Sequence, residues 1–436
     1  MTANSSENDV ERLVDHLFRH EAGRLIAFLT RAFGTENLDL AEDVAQDALI
    51  KALEVWPYHG VPENPTAWLA RVAKNRALNI LNRERVFTSK SKQLTDVLAL
   101  DHPSSDETDK PNSDAFGDVD DVVRLMFVAC HPSLSVESRV ALTLKTVAGF
   151  SVGQISSALL AQPTAVAQRL VRAKKQIREL GLSFEAPLSE LPARLDSVLH
   201  VIYLLFNEGY SAHEGSDPIR GELCEEATRL ANLICTSDRW DFGRQPRVHA
   251  LLALMLLQSA RLPARTDQGG DLLLLERQDR SLWNRTRISD GLRHLDQSAK
   301  GAEVTAYHLE AGIAACHAIA ASYDETDWSH ILELYDQLIA INPSPVVALN
   351  RAIAISRVQG AEAGIKALEA VQAHPALQRY YLLWATLAKL HAEMGNSALA
   401  ESDYRMALTC TSSAPERRFL DSSRASVVAA PGGSRR

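Results

Sequence analysis

Apolar side chains return every three to four positions from about residue 9 to 85, and this spacing predicts amphipathic helices. Val44, Leu49, Ala52, Leu53 and Trp56 mark one apolar face, and Trp68, Leu69, Val72, Ala73, Leu78 and Leu81 mark the next. The pattern stops between about Thr88 and Asp120. Eight carboxylates and one lysine fall between Asp101 and Asp121, together with Pro103 and Pro111. Such a stretch cannot bury a core and reads as a flexible acidic linker. Helical periodicity resumes from Asp121 to about Leu180, and Pro187 and Pro192 introduce a long, almost purely helical second half. The end of the chain, from about Ser422 to APGGSRR, is expected to lack structure. No run of alternating β-branched residues interrupts these patterns, so the predicted fold class is all-α. The expected divisions are a helical module at 9–87, the linker at 88–120, a second module at 121–182, a helical domain at 187–300, helical repeats at 301–415 and a tail at 422–436.

Composition supports this picture and adds limits. Of 436 residues, 46% are hydrophobic and 23% charged, enough apolar material for roughly three domains and too much for a disordered acidic chain. Glycine and proline together number only 38, a scarcity that favours long helices. The five cysteines (130, 224, 235, 316 and 410) are scattered, odd in number and never spaced CxxC. They read as inert thiols of a reducing compartment, with no disulfide framework, metal site or redox cofactor. The N-terminus is polar, without the apolar stretch of a signal peptide. The most apolar run, Leu251–Leu257, falls far short of the roughly 20 residues that span a bilayer. A cytoplasmic protein without a membrane partner is expected.

The formal net charge of −9 argues against a nucleic-acid partner, but the distribution of charge argues for one. Residues 71–85, RVAKNRALNILNRER, carry five basic side chains and one acidic. Arg71, Asn75, Asn79 and Arg83 recur at near-helical spacing, with Lys74 beside them, so one face offers cations to phosphates and carboxamides to base edges. Farther on, SVGQISSALL, a break at AQPT and AVAQRLVRAKKQIREL form a short helix, a turn and a basic helix. Between Gln168 and Arg178 there are five basic residues and no acidic one. A helix-turn-helix has this layout: Val152, Ile155 and Leu159 brace a second helix whose first residues enter the major groove.

Taken together, the two segments resemble the extracytoplasmic-function (group IV) bacterial sigma factors. LDLAEDVAQDALIKALEVW followed by NPTAWLARVAKNRALNILNRER is similar to their region 2, and SVESRVALTLKTVAGFSVGQISSALLAQPTAVAQRLVRAKKQIREL to their region 4. The likeness covers about the first 180 residues. It implies an alternative sigma factor that binds core RNA polymerase and directs recognition of promoter DNA at the −10 and −35 elements, with no catalytic residues of its own. By the same resemblance, Asp39, Glu42, Asp43, Gln46 and Asp47 would face polymerase. Arg71, Lys74, Asn75, Asn79 and Arg83, with the preceding loop from Tyr58 to Pro65, would read the −10 element. Thr164, Gln168, Arg169, Arg172 and Lys174 would read the −35 element. Ala165 and Ala167 stand where that family usually carries a threonine and a basic residue, which implies a shifted sequence preference. Trp68 falls on the apolar side of its helix and is expected in the core.

The second half carries a degenerate repeat. Ile331, Tyr335 and Leu338 precede Pro343; Gly364, Leu368 and Val371 precede Pro375; Ala400, Tyr404 and Ala407 precede Ser412. With Trp384, Leu387 and Ala388 ahead of the last set, the pattern resembles tetratricopeptide repeats and implies a surface for a protein or peptide partner. The block ARTDQGGDLLLLERQDRSLWNR gathers Arg261, Arg265, Asp267, Glu276, Asp279, Arg280 and Trp283 about a Gly-Gly turn. Without a nucleophile or metal-ligand spacing, and with His249 isolated in the sequence, it reads as a salt-bridge network holding a loop. His308, Cys316 and His317 likewise read as core or surface side chains and not as metal ligands. The whole arrangement is similar to the subgroup of group IV sigma factors with a large C-terminal extension, which implies a regulatory role for that extension. A stand-alone helix-turn-helix regulator with a protein-binding repeat domain, or an enzyme with a DNA-binding head, are the rival readings.

Overall fold

The computed structural model describes residues 21–93, 119–159, 161–210, 219–237, 244–267, 269, 271–411 and 413–429. Among them there is no strand, and a lone antiparallel bridge between Thr266 and Leu272 is the only β-type pairing. The all-α expectation therefore holds. The acidic linker and the extreme termini fall largely outside the described residues. None of the described helices is long and apolar enough to cross a membrane.

The chain forms two compact units that meet at Val201–Ile202. The first contains helices α1 (21–33), α2 (Leu38–His59), α3 (Pro65–Gln93), α4 (Val119–Ala129), α5 (Val136–Thr146), α6 (Val152–Ala158) and α7 (Pro163–Leu180). Helix α8 (Leu191–Tyr210) begins in this unit: Ser197 donates to the Cys130 carbonyl and accepts from Arg139. The unit boundary thus lies inside α8, later than the Pro187 break suggested, because the early turns of α8 bury Leu195, Val198 and Leu199.

In α2 the buried stripe runs through Leu38, Ala41, Val44, Ala45, Ala48, Leu49, Ala52 and Trp56. Leu53, expected on that face, lies one position off it and is exposed; Leu78 of α3 is exposed for the same reason, beside the buried Ala73 and Ala77. Helix α7 ends at Gly181, whose positive φ of 58° lets its amide and that of Leu182 fold back onto the carbonyls of Arg178 and Ile177.

The second unit continues with α9 (Gly221–Thr236), α10 (Pro246–Ser259), α11 (Arg285–Ser298), α12 (Ala306–Ile319), α13 (Trp328–Ile341), α14 (Pro345–Gln359), α15 (Ala361–Gln372), α16 (Pro375–Gln378), α17 (Tyr381–Glu393), α18 (Ser397–Thr409) and α19 (Ala414–Ala429). Its apolar clusters follow chain order. Leu309 and Ile313 of α12 pack with Ile331 and Leu338 of α13 and Val347 of α14. Leu349 of α14 joins Leu368 of α15 and Leu383, Leu387 and Leu390 of α17. Each helix pair therefore shares a core with the next, as in repeat proteins. Small residues permit the close contacts: a Cβ on Gly364 would lie 2.5 Å from the Cβ of Ser356. The tail expected to lack structure from Ser422 is instead helical through Ala429, where Leu420 is buried and Phe419 and Val427 pack against Ala388, Tyr404 and Ala407.

Candidate nucleic-acid interface

Helix α3 has two distinct faces. Leu69, Ala73 and Ala77 are buried, whereas Arg71, Lys74, Asn75, Asn79 and Arg83 are all exposed. The helix is capped at its start, where the Asn64 side chain accepts from the Ala67 amide at 3.0 Å. Trp68 meets Trp56 edge-on at 5.5 Å and is half-buried, so it packs in the core margin as its spacing implied. The preceding loop leaves Tyr58 83% exposed. Arg76, a basic side chain of the same helix, donates to Asp47 at 3.1 Å.

Helices α6 and α7 form the expected bihelical motif. Ser151 and Gln154 make a reciprocal capping box at the start of α6, and Pro163 occupies the first turn of α7. Ile155 is buried, with Val152 and Leu159 half-buried, and α7 turns Val166, Leu170, Ala173 and Ile177 inward. Thr164, Gln168 and Arg172 are exposed and Arg169 half-exposed; Arg172 donates to the Gln168 side chain at 3.2 Å. These four share one surface near the start of α7.

Lys174 lies elsewhere. Its ammonium sits 2.9 Å from Asp39 and 3.0 Å from Glu42, both on α2. Arg178 adds contacts at 2.9 Å to Asp39 and 3.2 Å to the Glu36 carbonyl. Thr35 donates its hydroxyl to the Leu182 carbonyl, and Arg31 pairs with Asp121 at 2.8 Å. The backbones also touch: a Cβ on Gly23 of α1 would lie 2.0 Å from the Val147 carbonyl oxygen. Two of the five residues expected to face polymerase, Asp39 and Glu42, are thus joined to the basic helix, while Asp43, Gln46 and Asp47 are exposed.

The electrostatics follow from depth. Burial pushes the Glu42 carboxyl up, and Lys174 only partly offsets this. Burial would also lower Lys174, but Glu42 and Asp39 outweigh it and hold the ammonium above its ordinary value. Lys174 is the charge on which the Glu42 carboxylate depends.

In the second unit the salt-bridge expectation for the Gly-Gly block holds for its carboxylates, Asp271 with Arg418 at 2.5 Å and Glu276 with Lys389, whereas its arginines bind mainly oxygen dipoles. Arg280 donates to the carbonyls of His317 and Ala320 at 2.6 and 2.7 Å and lies 4.5 Å over the Trp283 ring. Arg261 and Arg265 donate to the hydroxyl and carbonyl of Tyr210, respectively. Glu276 pairs with Lys389 at 2.7 Å, whereas Asp279 caps Ser281, so the two carboxylates serve separate structural ends. His308 caps α12 through Thr305, and His317 packs edge-on against Trp328 at 5.3 Å. His249, isolated in the sequence, is not isolated in space. Its Nδ1 lies 2.8 Å from that of His294 and 3.9 Å from the Cys235 sulfur. The three donors lie within 4.8 Å of one another and could hold a metal ion. Burial pushes the Cys235 thiol up to about 12 and His294 down to about 4, so both of these groups favour their neutral forms.

Residues 17–86 match the family Sigma-70 region 2 and residues 124–177 the family Sigma-70, region 4. Residues 194–299 match a family of unknown function, DUF6596. An uncharacterized protein of Rhizobium meliloti (strain 1021) is 36% identical over 386 residues, a span covering 88% of this chain and 89% of the relative. No solved structure matches the chain. The two sigma modules give the first unit a promoter-recognition role and mark a transcription regulator. With two sigma-70 modules in order and a helical extension behind them, the chain belongs to the extracytoplasmic-function-like sigma factors that carry a large C-terminal extension.

Proposed function

We propose that the protein is an alternative sigma factor that binds core RNA polymerase through α2, reads the −10 element with α3 and the −35 element with the start of α7. The observation that carries this reading is the exposed set of Arg71, Lys74, Asn75, Asn79 and Arg83, outside the buried stripe of Leu69, Ala73 and Ala77. Cations on such a face hold phosphates, and carboxamides can pair with the edge of an unstacked base. Thr164, Gln168, Arg169 and Arg172 supply the second reading surface, with the exposed pair Gln168 and Arg172 already hydrogen-bonded to each other.

In the free chain this factor is closed. Lys174 and Arg178 occupy the Asp39 and Glu42 end of the polymerase-facing row, so that region 4 competes with polymerase for those carboxylates. Opening must break the Lys174 contacts and separate Gly23 from Val147. The extension supplies regulation, and its repeat-like pairs, α14 with α15 and α17 with α18, resemble tetratricopeptide units that offer a surface to a protein or peptide partner.

Transcription reconstituted from purified chain, core RNA polymerase and a library of promoter fragments tests the assignment. Polymerase binding and selective initiation are expected. A chain that binds duplex DNA alone but neither binds polymerase nor starts transcripts would be a stand-alone regulator. Truncation to assess the extension should follow α8, because its first turns are part of the first unit's core.

A further inference from the structure

The second unit contains a partly open cavity of about 330 Å³, at the lower end of the size range of small-molecule sites. Helices α8, α10, α12, α13 and α14 all contribute to its wall. Its chemistry is one-sided. Among the described residues that line it, Glu310 is the one carboxyl, and none is a lysine, arginine or histidine. The carboxylate receives the Tyr203 hydroxyl at 3.0 Å, and that hydroxyl also meets Asn207. Burial drives the Glu310 carboxyl up to about 7, the response of an acid with no cation beside it.

Around this acid stand the rings of Tyr203, Phe206 and Tyr335 and the carboxamides of Asn207 and Asn350. Tyr203 is held by Tyr307, ring centroids 5.4 Å apart. A carboxylate among aromatic rings complements an organic cation: the ammonium donates to the carboxylate, and its charge is attracted to the ring faces. The carboxamides, each both donor and acceptor, suit polar groups elsewhere on such a molecule. Among the described lining residues an anion meets no cation, and the Arg261 guanidinium that reaches Tyr210 and Gln258 is already engaged by them. A purely apolar molecule would bury the Glu310 charge with only the Tyr203 hydroxyl to satisfy it.

We propose that the extension binds an organic ammonium in this cavity, with Glu310 as its counter-ion and the Tyr203, Phe206 and Tyr335 rings as its walls. The site makes the extension a receptor for an amine, independently of how the first unit meets polymerase or DNA. The ammonium can belong to a free amine or to a lysine side chain of a peptide.

Calorimetric titration of the full chain separates these sources with two probes: tyramine, and Nα-acetyl-lysine methylamide. Binding of tyramine assigns the cavity to free amines, and binding of the lysine probe alone assigns it to peptides. In either case 3-(4-hydroxyphenyl)propionate, which carries a carboxylate where tyramine carries its amine, should not compete. Glu310→Gln should weaken the bound probe at least about tenfold, the loss of one charge-assisted contact. Because Gln is close in shape to Glu and carries no charge to bury, this variant should remain folded, which its melting transition verifies. Silence of both probes up to about 10 mM, a range that covers weak fragment binding, would overturn the proposal. So would equal binding by Glu310→Gln or by the propionate.

Discussion

Helices α3 and α7 are both basic and both carry promoter-reading surfaces in the proposed function, yet the structure treats their charges differently. On α3, Arg71, Lys74, Asn75, Asn79 and Arg83 all remain on the surface. On α7 the charges divide. Gln168, Arg169 and Arg172 stay near the start of the helix and outward, while Lys174 and Arg178, farther along, are spent on Asp39, Glu42 and the Glu36 carbonyl. A basic helix is therefore not one functional unit. Its first three turns can serve DNA while its later turns serve an internal contact, and the carboxylates so occupied, Asp39 and Glu42, are two of the five residues the resemblance assigns to polymerase.

The sharpest way to break this comparison is Lys174→Met. Glu42 is only 3% exposed, and removing Lys174 leaves this buried carboxyl without its hydrogen-bonded cation, a change that typically costs ~3–5 kcal/mol. Thermal unfolding should register the loss, and adding Glu42→Gln should recover most of it, giving a strong coupling in a double-mutant cycle. If the two changes were simply additive, the contact would not be the source of stability.

Next in size are the DNA-facing substitutions. Arg172→Ala should cost ~1–3 kcal/mol in −35 fragment binding and lower the salt slope by about one. Asn75→Ala and Asn79→Ala should instead leave duplex −35 binding unchanged and slow opening of the −10 element, seen by permanganate footprinting. An equal loss at both elements from either helix would erase the distinction drawn between them.

The second unit offers a smaller effect that depends on pH. Glu310 keeps its proton up to about pH 7 in the folded chain but loses it near 4.5 when unfolded, so the folded state binds more protons between these values. Stability from this group is present at low pH and falls as pH rises through about 7. The titratable groups that face it, Tyr203 and Tyr335, stay protonated over this range. Glu310→Gln should remove the slope, a difference on the order of 2 kcal/mol between about pH 5 and about pH 8 in denaturant titrations. The smallest effect belongs to Arg178→Ala. Both partners of its pair with Asp39 are about half exposed, and less than about 1 kcal/mol is expected.

Much of this was legible in the sequence. The 3.6-residue spacing located α2, α3, α6 and α7, and the separation of Asn75 and Asn79 from Leu69 and Ala73 placed the former outside. Spacing alone could not tell that Lys174 differs from Arg172. The two residues are neighbours on one helix, and only the approach of α2 assigns Lys174 to Glu42. The same limit hid His249 beside Cys235 and His294, which come from three helices, and the Glu310 cavity, whose walls come from five. Leu420 and Val427 made the tail helical through packing that a polar sequence closing on APGGSRR did not reveal.

The most direct measurement is a fluorescence-anisotropy titration of core RNA polymerase against the full chain and its Lys174→Met variant. If Lys174 holds Asp39 and Glu42 away from polymerase, the variant, verified as folded, should bind core about tenfold more tightly, equivalent to about 1.4 kcal/mol of released closure. Unchanged or weaker binding by the folded variant would contradict the closed state, and no binding by either protein would contradict the sigma-factor assignment itself.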